Sequence, residues 1–218
     1  MSRNRLPASR AWVRAGGSWL SGYALLRQLA GARPGNERSR RNLGVLWFLT
    51  VHPEANNDGR HRSYLTHDGY AALDPSLFSA MRLLERAVLK DGLVRSVDLL
   101  EDGCQGGDYL PGARFHASPL ERIVGRGNAV PERRRAQSRD WWTAARQAVA
   151  GCRVVFLDPD NGLRPRSVRD GYIDEPKYCR RSEVVDLIGQ HDLVVVYQHS
   201  KPVGAVGDAP LGDRGWST

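Results

Sequence analysis

Asp158-Pro159-Asp160-Asn161-Gly162 follows directly on the apolar run Arg153–Leu157 (RVVFL). A buried strand that runs into two carboxylates and an amide carries polarity that is costly unless it is solvated, paired or bound to a ligand. Pro159 fixes the chain direction, and Gly162 permits a tight turn with positive φ. Asp158, Asp160 and Asn161 are therefore candidate catalytic residues. Their oxygens could hold a hard cation, or accept hydrogen bonds from an amino group of a substrate. The alternative is an Asx-turn closing a capped loop. A second cluster, Tyr197-Gln198-His199, ends the apolar run that starts at Leu193. His199 is a candidate general base, metal ligand or neutral hydrogen-bonding group. Tyr197 could stack on a ring and donate its O–H. With Gln198 and Pro159 it forms the candidate substrate contact. The alternative is an ordinary strand end with a satisfied histidine.

Two further groups of residues could do chemistry. The loop Asn56-Asn57-Asp58-Gly59-Arg60-His61 follows the first apolar run, and turn amides of this kind can hold an anion. Asp58 and Gly59 are its candidate cofactor contacts; a plain surface loop is the alternative. The loop lacks the G-x-G-x-x-G pattern of dinucleotide sites and any P-loop lysine. Asp158 followed by Glu175-Pro176-Lys177 has the outline of an acid and then an acid-x-Lys, as in metal-dependent nucleases. There the acids, here Asp158 and Glu175, would hold Mg²⁺, and Lys177 would orient the attacking water or meet substrate. Glu175 lies in a polar stretch, however, and Pro176 disfavours a central strand.

The elements that must position these residues alternate in type. Leu43–Val51, Val94–Leu100 and Leu193–Gln198 read as strands, Arg153–Asp158 as the strongest one, and Ala113–His116 as a short one. Trp19–Ala30 has near-helical apolar spacing. Asp74-Pro75 caps a helix that runs to about Lys90 and buries Leu77, Met81, Leu84 and Val88. Glu132–Ala150 reads as a long helix with Trp141 and Ala145 inward, and Ser182 is placed to cap a helix over Glu183–Gln190. Apolar strands alternating with helices predict an α/β fold of three layers, Rossmann-like, with a mainly parallel sheet of four or five strands. Ligands of such sheets bind beyond the carboxyl ends of the strands, near a topological switch point. The polar clusters fall there, so the site is expected at the ends of the Val94, Arg153 and Leu193 strands.

Composition bounds the class. The 218 residues carry a formal charge of +8, but residues 1–45 alone hold nine Arg and one Glu. The remaining 173 residues balance 23 basic against 23 acidic side chains. The expected organisation is a basic N-terminal arm with a short helix (1–41), an α/β domain (42–202) and an irregular tail (203–218). Nucleic acid is the expected partner of the arm. Three cysteines without C-x-x-C spacing argue against a disulfide framework and a cysteine zinc site. No apolar run reaches the ~20 residues of a membrane span, and a cytoplasmic protein is expected.

The segments NLGVLWFLTVHPEANNDGRHRSYL, SRDWWTAARQAVAGCRVVFLDPDNGL and LVVVYQHSKP resemble a group of uncharacterised bacterial proteins that share DPDNG and Tyr-Gln-His strand ends. The resemblance covers roughly residues 19–202. Members of that group continue past the Tyr-Gln-His strand, whereas this chain soon passes into a Gly- and Asp-rich tail, so a truncated or degenerate copy is expected. A more distant similarity is to class I methyltransferases acting on nucleic-acid amines, which place an Asp-Pro-Pro-aromatic motif at the end of a central strand, followed by a helix and another strand. That similarity implies S-adenosylmethionine as cofactor, with Glu101 toward its ribose. It implies that Asp158 and Pro159 hold the target amine and that Tyr197 or His199 lines the pocket. This chain departs from the pattern in having Asp160-Asn161 for Pro-aromatic and no Gly-rich loop after its first strand.

Overall fold

The computed structural model describes residues 19–31, 43–50, 66, 68–91, 109–110 and 112–198. In chain order the elements are α1 (Trp19–Leu29), β1 (Leu43–Phe48), α2 (Asp68–Ala71), α3 (Pro75–Asp91), β2 (Arg114–His116), α4 (Ala129–Ala148), β3 (Val154–Pro159), a 3-10 turn (Glu175–Lys177), α5 (Arg181–Ile188) and β4 (Leu193–Val196). Four strands form one all-parallel sheet in the order β2-β1-β3-β4. The expected strand over Val94–Leu100 lies outside the described residues.

The fold is a three-layer, Rossmann-like α/β arrangement. β1 is buried at every residue, as its unbroken apolar run LGVLWF demands. Alternate residues of each strand point to opposite faces. Leu43, Val45, Trp47, Val154 and Phe156 pack with α1 and α3. Leu46, Phe48, Val155 and Leu157 pack with Trp141, Ala145 and Val149 of the α4 segment and Val184 and Leu187 of α5. From β1 the chain passes to β2 on one side, then returns to β3 on the other. Crossovers of one hand running in opposite directions put their helices on opposite faces, and the strand ends diverge where the direction reverses. That switch point lies between β1 and β3.

Close packing here depends on one absent side chain. A Cβ on Gly44 would sit 2.6 Å from Val149 Cγ1, so only glycine lets the end of α4 settle on β1.

Two expectations are corrected. α1 belongs to the body, because Tyr23, Ala24, Leu26 and Ala30 are buried in the same cluster as β1 and α3. Its Arg27 is also buried and pairs with Asp74 (Nε to Oδ2, 3.2 Å). The boundary drawn at residue 41 by charge therefore splits the core. Secondly, α5 starts at Arg181 and not after Ser182. Its first turn is capped by Glu183, whose carboxylate accepts the Arg180 amide (2.8 Å), so no serine cap is needed.

Asp74 does cap α3: its Oδ1 accepts the Leu77 amide (2.9 Å) and the Ser76 hydroxyl (2.8 Å). Asparagine caps as well as aspartate but cannot neutralise Arg27, so Asp74→Asn is expected to cost roughly 1–2 kcal/mol. A urea midpoint shifted down with an unchanged m-value would show it; an unshifted midpoint would mean that Arg27 needs only the cap's dipole.

Candidate functional site

β3 places the first cluster at the switch point. Asp158 is paired in register with Trp47, and Pro159 with Phe48. By alternation Asp158 falls on the α1/α3 face with Phe156, while the buried Pro159 falls on the other. Asp158 is half-buried and follows the last register pair of β3 and β4, Leu157 with Val196, which sets it beside Tyr197. Burial, and then the Asp158 carboxylate, push the Tyr197 phenol above its ordinary value. Tyr197 is held by its own amide, which donates to Leu157 O (2.9 Å). Asp160 turns toward β1, where the Thr50 hydroxyl donates to its Oδ2. The motif therefore spans the sheet end from Thr50 beyond β1 to Tyr197 beyond β4. Asn161 is exposed, and its amide donates to Lys177 O (2.9 Å).

Gln198 explains why the two strand-end motifs belong together. Gly162 has φ +78°, and its missing Cβ leaves room for the Gln198 amide, whose Oε1 would otherwise be 2.4 Å away. From that position Gln198 Oε1 accepts the Leu163 amide (2.7 Å). The Gly162 amide closes a turn onto Pro159 O (3.3 Å), and Gly162 O accepts the Cys179 amide (3.0 Å). Gln198 and Gly162 thus shape the loop that presents Asp160 and Asn161.

Glu175 and Lys177 take separate places. Lys177 lines a shallow depression of about 210 Å³ with Thr50, Arg122 and Asp174, beside the Asp160 end of the site. Glu175 is 2 % exposed. Its Oε1 accepts from Arg164 Nη1 (3.1 Å) and from Arg180 Nε (2.7 Å) and Nη2, and its Oε2 accepts the Gly171 amide (2.6 Å). Both oxygens are therefore engaged by cations and an amide. Among the described residues no group of three or more His, Cys, Asp or Glu could hold a metal ion.

Sequence reading missed the arginine cage around Glu175 and the acid beside it. Burial pushes the Glu183 carboxyl up, opposed by the Arg180 amide and guanidinium. Glu175, Arg180 and Glu183 line a second depression of about 250 Å³ with Phe48, Ser138 and Tyr178. The only hint in the sequence was the Arg-rich spacing around Glu175, which in an Arg-rich chain is weak. Thr50 was missed too, because its value comes from a partner 110 residues away.

Of the remaining predicted residues, His199, Asp58, Gly59 and Glu101 lie outside the described residues. Asp158 and Asp160 offer carboxylate oxygens and Asn161 an amide oxygen, acceptors of the kind that a neutral or cationic amine needs. No protein-family model, curated protein or solved structure significantly matches the chain, so its function rests on the site.

Proposed function

We propose that the protein is a methyltransferase-like enzyme acting on an amino group of nucleic acid. One observation carries this reading. The Asp158-Pro159-Asp160-Asn161 motif ends a strand flanked on both sides, at the switch point of a parallel sheet, and is followed by α5 and the neighbouring strand β4. This is the setting in which the methyltransferases that the sequence resembles hold a target amine. In this reading Asp158 and Asp160 orient the amine by accepting its N–H bonds. Thr50 fixes the Asp160 carboxylate, and Tyr197 forms the wall beside Asp158. S-adenosylmethionine would supply the methyl group, with Asp58, Gly59 and Glu101 as the residues proposed to hold it. His199 is proposed to line the same pocket. The buried free thiols Cys152 and Cys179, both pushed up in pKa by burial, suit a reducing, cytoplasmic setting.

A ligand that binds only the folded state must stabilise it. At a hundredfold excess over Kd the gain is about 2.7 kcal/mol, or roughly 5–10 °C in Tm for a chain of this size. S-adenosylmethionine is expected to raise the Tm by that order in a thermal-shift assay. No shift, together with no heat of binding by calorimetry, would reject the reading.

A further inference from the structure

The charge balance of the body conceals an uneven distribution. Residues 120–135 and 160–183, which form loops and helix starts at the carboxyl end of the sheet, hold eleven Arg and Lys against seven Asp and Glu. The acids there are largely consumed internally. Glu132 pairs with Arg135 and Arg139, and Asp170 and Glu175 pair with Arg164 and Arg180. Arg126, Arg133, Arg166, Arg169 and Arg181 are exposed and make no ion pair among the described residues. At the opposite end of the sheet the arginines are occupied. Arg146 pairs with Asp186, Arg153 pairs with Asp192, and Arg114 donates to Ala150 O.

The two loops are fastened together. Arg134 Nε donates to Ile123 O (2.8 Å) and its Nη1 to Gly171 O (3.1 Å), so the first turns of α4 join the loop of Arg126 to the loop of Arg166 and Arg169. Each loop also exposes an apolar side chain, Val124 at 67 % and Tyr172 at 52 %. An aromatic ring held in water on an arginine-bearing surface has an evident use as a stacking platform.

We infer that this surface docks single-stranded nucleic acid, with the unpaired arginines on phosphates and Tyr172 stacked on a base. The inference rests on the methyltransferase-like reading for what happens next, but not for the binding itself. A duplex keeps its bases stacked and offers Tyr172 no face, whereas a single strand offers one. The amino group of an unpaired base can also enter a site at a strand end, which the same group inside a duplex cannot do without being flipped out.

The test is fluorescence anisotropy of a labelled single-stranded oligonucleotide, titrated with the full chain over a range of salt. The N-terminal arginines are common to every variant, so differences between variants report this surface. The combined variant Arg126→Ser, Arg166→Ser, Arg169→Ser is expected to weaken binding at least tenfold and to flatten the slope of log K against log salt by about 2–3. Tyr172→Ala should weaken binding roughly tenfold with the slope unchanged. All four side chains are exposed, so melting temperatures should hold and serve as the folding control. Unchanged affinity and slope in the triple variant would overturn the inference. Equal affinity for duplex, together with no effect of Tyr172→Ala, would overturn its single-strand part. Binding lost in the variants but no thermal shift with S-adenosylmethionine would remove the methyltransferase reading and leave the docking surface standing.

Discussion

Glu175→Ala is expected to lower stability by about 3–5 kcal/mol, the usual cost of removing one partner of a buried ion pair. The wild-type carboxylate meets two guanidinium groups, Arg164 and Arg180, whose side chains are 23 % and 21 % exposed. It also accepts the Gly171 amide, at a residue whose φ of +75° turns that N–H inward. Alanine leaves the two guanidinium groups to share the exposed Asp170, with Glu183 at 4.0 Å from Arg180 alone, and leaves the Gly171 amide without an acceptor. Glu175→Gln keeps one acceptor oxygen but no charge, and should fall between alanine and wild type. Urea unfolding checks the order, with the midpoint moving and the m-value constant if only stability changes. The same variant separates the ion-pair role from a metal-binding one. Were Glu175 a Mg²⁺ ligand, Mg²⁺ would raise the Tm of wild type and not that of Glu175→Ala. With both oxygens caged, Mg²⁺ is expected to leave the two melting temperatures equally unmoved. An unfolding free energy within about 0.5 kcal/mol of wild type, the range of an ordinary surface change, would reject the structural role.

Glu175 also shows where sequence reading ends. Periodicity finds what is repeated, and the strands are repeated apolar positions: β1, β3 and β4 each begin within one residue of the expected start. A local cap is equally readable, because Asp74 and Leu77 are three residues apart and need only one turn to meet. The cage around Glu175 has no such rule. It joins residues 164, 171, 175 and 180 through a loop whose path is set by the Leu163–Cys179 bridge and by Arg134 reaching across from α4. A buried acid in such a loop has the same sequence appearance as a solvated one or a metal ligand. Charge counting misplaced α1 for a related reason. Arg27 was counted with eight other arginines as part of a solvated arm, while the apolar spacing of Tyr23, Leu26 and Ala30 pointed into the core. Where the two signals conflicted, burial of apolar area decided, since one paired arginine costs less than exposing a helix face.

Gly162→Ala is expected to be the more damaging change for the site itself, at about 2–3 kcal/mol of stability. An L-residue in the left-handed region costs about 1–2 kcal/mol, and loss of one hydrogen bond adds about 1 kcal/mol. The second cost arises because the new Cβ would occupy the place of the Gln198 amide, which must swing away and release the Leu163 amide. Gln198→Ala alone pays only for the hydrogen bond, and it also clears the space that Gly162→Ala needs. The double variant should therefore cost less than the sum of the two single ones, with a coupling of about 1 kcal/mol in a double-mutant cycle. Strict additivity would mean that Gln198 does not pack on Gly162. The loop so released is the one carrying Asp160 and Asn161, tied at its far side to Thr50 and Lys177. In the proposed enzyme those acceptors must hold an amine in one orientation, so a loosened loop should reduce methyl transfer in Gln198→Ala far more than it reduces stability. Retained transfer in that variant would place the chemistry on Asp158 and Tyr197 alone, since these are fixed by the strands and do not depend on the loop.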